Sequence, residues 1–501
     1  MRIDNIQLKN YRCFDALSLT FHPRLTVLVA PNGQGKTSIL DAIKVALWPY
    51  VAGFDLGSTT NDVTGIHIDD VRRVSVTEHE MDWRLPADIE GQGTLQVRQL
   101  LTDGTLKNPA LSLGGVFEIL EAMEPEVPWR SERFRDSIKK ATKTKDVVQT
   151  EALDLNATAM ALERRIFSDR KDAPDDLPML GYYGTGRLWA QKKLTAFHER
   201  SDAEAQSRTF AYRDCLDSAS SYKHFVAWFS RVHQSYLQAQ IRNFERRLPL
   251  DADVPPGLIA PLRAVQGVVD AILQPHTGWH SLGYSMEHDE LVLNHDEHGQ
   301  MKVSQLSDGI RNMLALVGDI GYRCYKLNAH HGADAPRRTA GVVLIDEVDM
   351  HLHPGWQQTV LTDLMEAFPN LQFVVTTHSP QVLTSVDASC IRVLRQTFSA
   401  DGERNNVIEP VRLQTKGVAS SDLLAQIMGV DPIPNVPEAR ALAKYHALIQ
   451  EDLHESEEGE SLRAQLEQHF GKDHPVMREC ERMLRLQEFK RRLPLPDQRG
   501  G

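Results

Sequence analysis

Residues 24–48 contain the feature that most constrains the fold of this chain. A short apolar run, RLTVLVA, precedes the turn PNGQGKT, and the helical pattern SILDAIKVALW follows it. Strand, glycine-rich turn and helix is the layout of a phosphate-binding unit, because the N–H groups of the turn and the helix N-terminus converge on an anion. The feature predicts an α/β fold in which a buried strand leads into a P-loop.

The predicted P-loop supplies each kind of group that a triphosphate needs. Its glycines leave backbone N–H groups accessible, Lys36 suits the β- and γ-phosphates, and the hydroxyl of Thr37 suits Mg²⁺. One position departs from the pattern G-x-x-x-x-G-K-[ST], because Ala30 replaces the opening glycine. G-K-[ST] alone arises by chance in roughly one chain in four of this length, so the flanking strand and helix carry the prediction. The candidate nucleotide-binding residues are Asn32, Gly33, Gln34, Gly35, Lys36, Thr37 and Ser38.

An acidic pair, Asp346 and Glu347, ends the buried-strand candidate GVVLIDE. A carboxylate at the carboxyl end of a buried strand can hold the Mg²⁺ shell, and a second one beside it can polarise the attacking water. In isolation, such a pair is more often a charged strand end. A P-loop earlier in the chain favours the functional interpretation.

The sequence LSDGIR at residues 306–311 predicts a second anion site. Serine and glycine at a helix N-terminus, followed by free backbone N–H groups, attract anions. Alone, S-D-G is an ordinary turn and helix start. Its place between the P-loop and the acidic strand favours Ser307, Asp308 and Gly309 as ligand-binding residues.

A histidine follows the next buried-strand candidate, LQFVVTTH. Among 20 histidines, a single one is usually a surface or packing residue. His378, however, follows Thr376 and Thr377 at a strand's carboxyl end, where α/β sheets bind ligands. A neutral imidazole there can hydrogen-bond a γ-phosphate or the lytic water.

The composition predicts a soluble cytoplasmic protein without a membrane partner. Hydrophobic residues make up 41% and charged residues 25%. No apolar run approaches the roughly 20 residues of a membrane-spanning helix, and the N-terminus lacks a secretory h-region. Five scattered cysteines without a C-x-x-C pair argue against a disulfide frame or a cysteine zinc site.

The formal net charge of −12 gives no global attraction to nucleic acid. A nucleic-acid role therefore depends on local basic clusters, and three are present, at residues 139–145, 163–171 and 242–247. Clusters of this kind are most commonly solvated helix surface.

Together, APNGQGKT, LSDGIR, VVLIDEVDMHLHP and VTTHSP resemble the ABC-type ATPase heads of the SMC, RecF and OLD group. The resemblance implies an α/β fold: an ABC-type head with a mixed sheet, a helical insertion and a C-terminal helical region. It implies ATP and Mg²⁺ as ligands, with Lys36 on phosphate and Thr37 and Asp346 on Mg²⁺.

The same resemblance assigns the remaining site residues. Glu347 would be the catalytic base and His378 the switch histidine, while Asp349 would lie in the loop that couples two sites. Ser307 and Gly309, with Asp308 between them, would complete the ATP site of a second subunit in an ATP-sandwich homodimer or higher oligomer.

The resemblance also divides the chain into five segments. The ATPase head comes from two of them, and the others are insertions or partner-binding regions. The predicted segments are residues 1–49 (head with P-loop), 50–178 (inserted strands and helices), 179–299 (helical arm and hairpin), 300–396 (second head part) and 397–501 (C-terminal helical region).

Three further stretches resemble the ATPase of Septu-type antiphage defence (PtuA), including versions paired with retrons. They are EVDMHLHP, GYYGTGRLW and SSDLLAQIMGVDPIPNVPEARAL. This likeness implies an HNH-type nuclease partner and, in retrons, a reverse transcriptase with its RNA-linked DNA. DNA and tRNA are further candidate partners.

Departures from the family pattern leave alternatives open. Ala30 and the LSDGIR form of the signature suggest slow, regulatory ATP turnover. The glutamine loop has three candidates, Gln92, Gln96 and Gln99, with Arg187 as a substitute. No D-x-D of a Toprim nuclease follows Gln396, and no HNH pattern is present, which predicts no nuclease centre in this chain. The alternative function is a RecF-like DNA-repair loading ATPase.

Overall fold

The structure is a computed structural model. It describes residues 1–56, 65–75, 81–95, 126–133, 147–148, 153–168, 175–187, 207–217, 221–398 and 404–492. The chain divides into two compact units, Met1–Leu423 and Leu424–Gly501.

The strands and helices alternate along the first unit, and helices make up the second. The strands are β1 (Arg2–Tyr11), β2 (Phe14–Thr20), β3 (Leu25–Val29), β4 (Arg73–Ser75), β5 (Met81–Trp83), β6 (Ala87–Thr94), β7 (Glu126–Arg133), β8 (Val147–Val148), β9 (Met179–Tyr183), β10 (Trp279–Ser285), β11 (Glu290–His295), β12 (Gly299–Lys302), β13 (Gly341–Ile345), β14 (Leu371–Thr377), β15 (Ile391–Phe398) and β16 (Arg404–Pro410). The helices are α1 (Lys36–Ala52), α2 (Leu153–Ser168), α3 (Ser221–Glu245), α4 (Pro256–Thr277), α5 (Asp308–Leu327), α6 (Ala335–Arg338), α7 (Pro354–Gln357), α8 (Val360–Ala367), α9 (Pro380–Leu383), α10 (Ser420–Gln426), α11 (Pro437–Gln450), α12 (Glu457–Phe470) and α13 (Pro475–Arg492).

A six-stranded sheet in the order β16-β15-β3-β14-β13-β9 forms the centre of the first unit. Its strands are parallel except β16, which pairs antiparallel with β15. Every residue of β3, β9, β13 and β14 is buried, as expected of parallel strands covered on both faces. The α/β class and the mixed sheet that the sequence predicts are confirmed.

The strand order gathers the three predicted motifs at one edge of this sheet. The P-loop follows β3, the acidic pair follows β13, and His378 follows β14, the strand between them. Because all three strands run parallel, their carboxyl ends meet at the same edge, where ligands bind in α/β sheets.

A second, antiparallel sheet in the order β2-β1-β6-β7-β8 lies beside the first. Along β1, Ile6 and Leu8 are buried while Gln7 and Lys9 are exposed, the alternation of a strand with one covered face. The buried amide of Gln372 on β14 joins the two sheets, accepting from Ile3 N–H at 2.9 Å and donating to Ile3 O at 2.8 Å.

The predicted segment boundaries do not coincide with the sheets. β6 and β7 fall in the segment expected to be an insertion, yet they pair next to β1. β9 falls in the expected helical arm, yet it is the outermost strand of the central sheet, next to β13. The strand β16 lies beyond residue 396 and still pairs with β15. Local patterns do not reveal such pairings, because a short apolar run fits any position in a buried sheet.

One described helix, α4, is long and apolar enough to cross a membrane by length and composition alone. It packs against α5 and β10, and it buries Val265, Val269, Ile272 and Leu273 on that side. A core helix passes the same test, so the finding is weak evidence for a span.

The second unit has a small core of its own. Its helices α11, α12 and α13 pack around one apolar cluster, which agrees with the helical C-terminal region that the sequence predicts. The buried members of the cluster are Tyr445, Ile449, Leu466, Met477 and Cys480.

A buried ion pair fixes α5 against β9. Arg323 Nε donates to Asp319 Oδ2 at 2.7 Å, the hydroxyl of Tyr183 on β9 donates to the same oxygen at 2.7 Å, and both charged side chains are almost fully buried. Arg323 also donates to the carbonyls of Ala211 and Arg213. Burial opposes the charge on Arg323, but Asp319 raises its pKa above the ordinary value, so the guanidinium stays charged.

Arg323→Leu is expected to destabilise the chain by about 3–5 kcal/mol, because it leaves the Asp319 carboxylate buried without its counter-charge. Urea unfolding followed by circular dichroism measures the loss. The double variant Arg323→Leu with Asp319→Leu is expected to recover most of it, while exposed Arg337→Ala should stay within about 0.5 kcal/mol. Equal stability of Arg323→Leu and the control would contradict the assignment.

Candidate nucleotide site

The P-loop adopts the backbone that an anion cradle needs. Gly33 and Gly35 have φ values of 79° and 97°, in the left-handed region that favours glycine. A Cβ on Gly35 would also overlap Cys13 Sγ and lie 2.7 Å from the ring of Phe14. Directly after Gly35, α1 begins at Lys36, so the N–H groups of the turn and of the first helical residues face the same space.

The remaining P-loop residues lie at the rim of the turn. Asn32 and Thr37 are exposed, while Gln34 and Ser38 are half-buried. The carbonyl of Gln34 accepts from the amide of Asn406 on β16 at 3.4 Å. The turn is therefore held from outside by a strand that the sequence did not place in the head.

The ammonium of Lys36 lies inside the P-loop. It donates to Ala30 O at 2.8 Å and to Pro31 O at 3.3 Å, and the side chain is buried. Burial lowers its pKa, and the carboxylates of Asp346, Glu347 and Asp349 oppose that shift. The lysine thus places a positive charge where the N–H groups of the turn converge.

Two threonines hold Asp346 from opposite sides. Thr37 Oγ1 donates to Asp346 Oδ2 at 2.9 Å, and Thr376 Oγ1 donates to Asp346 Oδ1 at 2.6 Å. The hydroxyl of Thr376 also accepts from the backbone N–H of Glu347 at 2.8 Å. One hydroxyl on the intervening strand β14 therefore orients both members of the acidic pair.

The loop after β13, residues 346–352, has an unusual backbone and is called the acidic loop below. Glu347 and His351 have φ values of 47° and 62°, which residues with side chains adopt only at an energetic cost. Thr377 on β14 donates to the carboxylate of Asp349, and Met350 N–H donates to Glu347 O at 3.1 Å. These bonds stabilise the turn that presents the half-buried Glu347 beside the P-loop.

The residues beside Thr37 fit a magnesium ion. Hydroxyl and carboxylate oxygens are the hard ligands that Mg²⁺ prefers. Neighbouring ligands of an octahedron at the usual Mg–O distance lie about 2.9 Å apart, and Thr37 Oγ1 lies 2.9 Å from Asp346 Oδ2. The two oxygens can serve one ion with little rearrangement.

The predicted second anion site lies at the far end of the acidic loop. Ser307 and Asp308 are exposed at the start of α5, whereas Gly309 is buried. A Cβ on Gly309 would lie 2.5 Å from the carbonyl oxygen of His351. Glycine therefore allows the first turn of α5 to contact the acidic loop, and Arg311 pairs with Asp308 on the outer side.

The imidazole of His378 is exposed directly after β14. The next residue, Ser379, accepts from Gln381 N–H as the cap of α9 and donates to Gln357 at 2.7 Å. His378 thus follows a firmly held strand end at the same edge of the sheet as Lys36 and Asp346.

The glutamine-loop candidates fall in different places. Gln92 lies on β6 with an exposed side chain. Gln96 and Gln99 lie outside the described residues, as does the side chain of Arg187.

Sequence reasoning missed the role of Thr376. Thr376 belongs to the motif that contains His378, and its place at the carboxyl end of a buried strand is the signal in the sequence that points to it. The distance of 30 residues between Thr376 and Asp346 in the chain hides their hydrogen bond from any local pattern.

The fold and the site define an ATPase domain, and comparison with known families agrees. The family described as AAA domain matches residues 5–240, and a second family, described as AAA domain, putative AbiEii toxin, Type IV TA system, matches residues 192–384. The chain therefore carries AAA-type ATPase domains.

The chain is also homologous to two retron ATPases and to Septu protein PtuA. It is 26% identical to the retron Ec83 probable ATPase of Escherichia coli over 96% of this chain and 86% of that protein. The retron Vc95 probable ATPase of Vibrio cholerae is 24% identical over 91% and 86%. Septu protein PtuA of Bacillus mycoides is 31% identical over 32% of this chain and 23% of that protein.

Two other similarities are weaker or shorter. RecF of Lysinibacillus sphaericus is 47% identical over only 45 residues, 9% of this chain and 12% of that protein. Among solved structures, the Smc head bound to the C-winged helix domain of ScpA matches with a TM-score of 0.44 and 15% identity, over 82% of this chain and 98% of that chain.

Thr376→Val is expected to lower the rate of ATP hydrolysis about tenfold to a hundredfold, because it removes two hydrogen bonds that orient Asp346 and Glu347. Nucleotide affinity should change much less, since Lys36 and the P-loop backbone remain. Steady-state phosphate release and a nucleotide titration measure the two effects. Thr384→Val, on α9's carboxyl side, is the matched control, and equal rates for both variants would remove Thr376 from the site.

Proposed function

We propose that this chain is a defence ATPase that binds ATP, dimerises on it and thereby regulates a partner nuclease. The observation that carries the proposal is that one chain presents two separate turns, each at the start of a helix, where backbone N–H groups can bind an anion. One is the P-loop with its acidic pair, and the other is the start of α5, which contacts the acidic loop at His351. Similarity to retron ATPases along 96% of this chain supports the biological setting.

ATP binding rests on the P-loop in this proposal. Backbone N–H groups from Gly33 to Ser38 and the ammonium of Lys36 bind the β- and γ-phosphates. Thr37 and Asp346 hold Mg²⁺, which when bound neutralises phosphate charge. Asn32 and Gln34 line the rim of the turn.

Hydrolysis rests on the acidic pair. Glu347 takes a proton from the attacking water, and Thr376 keeps its backbone in place through the bond to Glu347 N–H. His378, exposed at the end of β14, hydrogen-bonds the γ-phosphate or the water. The energetic cost of the Glu347 backbone conformation is offset by the surrounding hydrogen bonds, which is typical of functional sites.

The second turn, Ser307 to Gly309, serves the partner subunit. In this proposal a two-fold axis pairs the P-loop of one chain with the second turn of the other, so each composite site takes Lys36 and Glu347 from one chain and Ser307 from the other. Asp349 lies between the two turns in the acidic loop and links their states.

Closure of two subunits gives a partner nuclease two arrangements to distinguish, which is what coupling between sites requires. The proposed partner is an HNH-type nuclease, with a reverse transcriptase and its RNA-linked DNA if the chain works in a retron. DNA or tRNA would be a further partner. The protein would work in the cytoplasm, and this chain would hold no nuclease centre of its own.

A RecF-like loading ATPase is the alternative, and the short stretch shared with RecF supports it. The two functions differ in their genetic neighbourhood. A gene for an HNH nuclease or a reverse transcriptase beside this one supports the defence function, whereas a replication and repair neighbourhood supports the alternative.

Glu347→Gln is expected to bind ATP normally and to reduce hydrolysis by about a hundredfold or more, because the amide keeps the shape of the side chain but cannot accept the proton. ATP should then accumulate on the protein and stabilise the dimer. Single-turnover hydrolysis and light scattering with ATP measure both effects. A wild-type rate would show that the base lies elsewhere, and Glu366→Gln on α8 controls for the change of charge.

Mixing two inactive variants tests the shared sites. Lys36→Ala removes the phosphate cation, and Ser307→Arg blocks the second turn, so neither homodimer should hydrolyse ATP. In a mixed dimer both defects fall on one composite site and leave the other intact. About a quarter of the wild-type activity is expected at equal mixing, since half of the dimers are mixed and each has one working site of two.

Native mass spectrometry of the mixture measures the fraction of mixed dimers, and the ATPase activity is compared with that fraction. Activity that returns in proportion to the mixed dimers supports shared sites. Full activity of a monomer, or no activity despite abundant mixed dimers, would contradict independent sites shared in this way.

A further inference from the structure

A cluster of three side chains with metal-binding chemistry lies at the opposite edge of the central sheet from the nucleotide site. Asp176 precedes β9, and His330 and His331 follow α5. The Nε2 atoms of both imidazoles lie 2.7 Å from the same oxygen, Asp176 Oδ1. One ligand atom from each residue can be chosen so that all three lie within 4.8 Å of one another.

We propose that Asp176, His330 and His331 bind one divalent transition-metal ion, with zinc as the best fit. Imidazole nitrogen and carboxylate oxygen are the ligands of three-residue zinc sites, at about 2.0–2.2 Å from the ion. Ligands of a tetrahedral ion at that range lie about 3.3 Å apart, so each imidazole nitrogen needs to move away from Asp176 Oδ1 by less than 1 Å. Magnesium and calcium prefer all-oxygen sites and are disfavoured here.

The backbone on both sides of the ligands is fixed before any ion binds. The buried amide of Asn328 accepts from Leu177 N–H at 2.8 Å and donates to Leu177 O at 2.9 Å, beside Asp176. Arg208 donates to Asp175 O and to Leu327 O, both at 2.6 Å. These bonds hold the two ligand-bearing segments together, and such support is what a precise metal site requires.

The ion has a route of entry. Asp176 and His331 line a cavity of about 580 Å³ whose wall also contains Arg2, Arg24 and Arg338. The arginines attract water or an anion, either of which can be the ligand that completes the coordination shell. A zinc site with three protein ligands and one open position has this composition.

The position of the cluster suggests what the ion does. From Asp176 the chain runs through β9 to Tyr183, whose carbonyl accepts from Asp346 N–H at 2.8 Å. From His330 it runs back through α5 to the turn at Ser307. The ion therefore ties together the distal ends of the two elements that contact the acidic loop, and it stabilises their packing.

Zinc titration of the full chain tests the proposal. The protein is cleared with a chelator and kept free of nucleotide and magnesium, and zinc binding is followed by calorimetry. The wild type is expected to bind one ion tightly and to melt at a higher temperature with zinc. His331→Ala and Asp176→Ala should bind it about a hundredfold more weakly, since each lacks one of three ligands.

The control is His298→Ala, because His298 belongs to another close histidine pair, with its ring 4.4 Å from that of His295. It should bind zinc as the wild type does. Wild-type binding by all three variants, or no tight binding by the wild type, would overturn the proposal and leave a hydrogen-bonded Asp–His cluster. Where a variant fails to fold, diethyl pyrocarbonate labelling of the wild type decides the question. Zinc must then protect His330 and His331 but not His298.

Discussion

The hydrogen bond between Thr37 and Asp346 is the contact on which the candidate nucleotide site depends. It is 2.9 Å long and joins residues 309 positions apart, the first turn of α1 and the end of β13. It can form only because β3 and β13 both run parallel to β14 and end at the same edge of the sheet. Thr376 on the shared neighbour then completes the arrangement by binding Asp346 from the other side. The geometry of the site is thus a consequence of strand order.

The helix α5 is connected to the acidic pair, Asp346 and Glu347, by two separate sets of contacts. At its first turn, Gly309 lies against His351 of the acidic loop. In its middle, Asp319 binds the hydroxyl of Tyr183, whose backbone carbonyl accepts from Asp346 N–H. A movement of α5 would therefore displace the acidic pair through packed and hydrogen-bonded groups. Contiguity of this kind is the structural basis that coupling between two parts of a protein requires.

Three buried polar side chains of the head are paired with backbone groups of other elements. Gln372, Asn328 and Arg323 are all buried, and each makes hydrogen bonds to backbone carbonyls of another element. An unpaired polar group in a sheet core costs about 1–3 kcal/mol. Such residues consequently specify which strands and helices are neighbours, a task that apolar side chains perform with less selectivity.

The sequence by itself determined which residues make up the candidate nucleotide site. Gly33, Lys36 and Thr37 form a local turn, and Asp346 with Glu347 ends a run of apolar residues, so both motifs can be read from neighbouring positions. Only the tertiary structure decided that β6 belongs to the antiparallel sheet and that β9 and β16 belong to the central sheet. It also decided that Thr376 orients the acidic pair and that Asp176 lies beside His330 and His331. The physical reason is the range of the interactions. A turn or a helix start is encoded within a few residues. Strand pairing and buried hydrogen bonds join segments that are distant in the chain, and the periodicity of apolar residues does not show which of these segments pair.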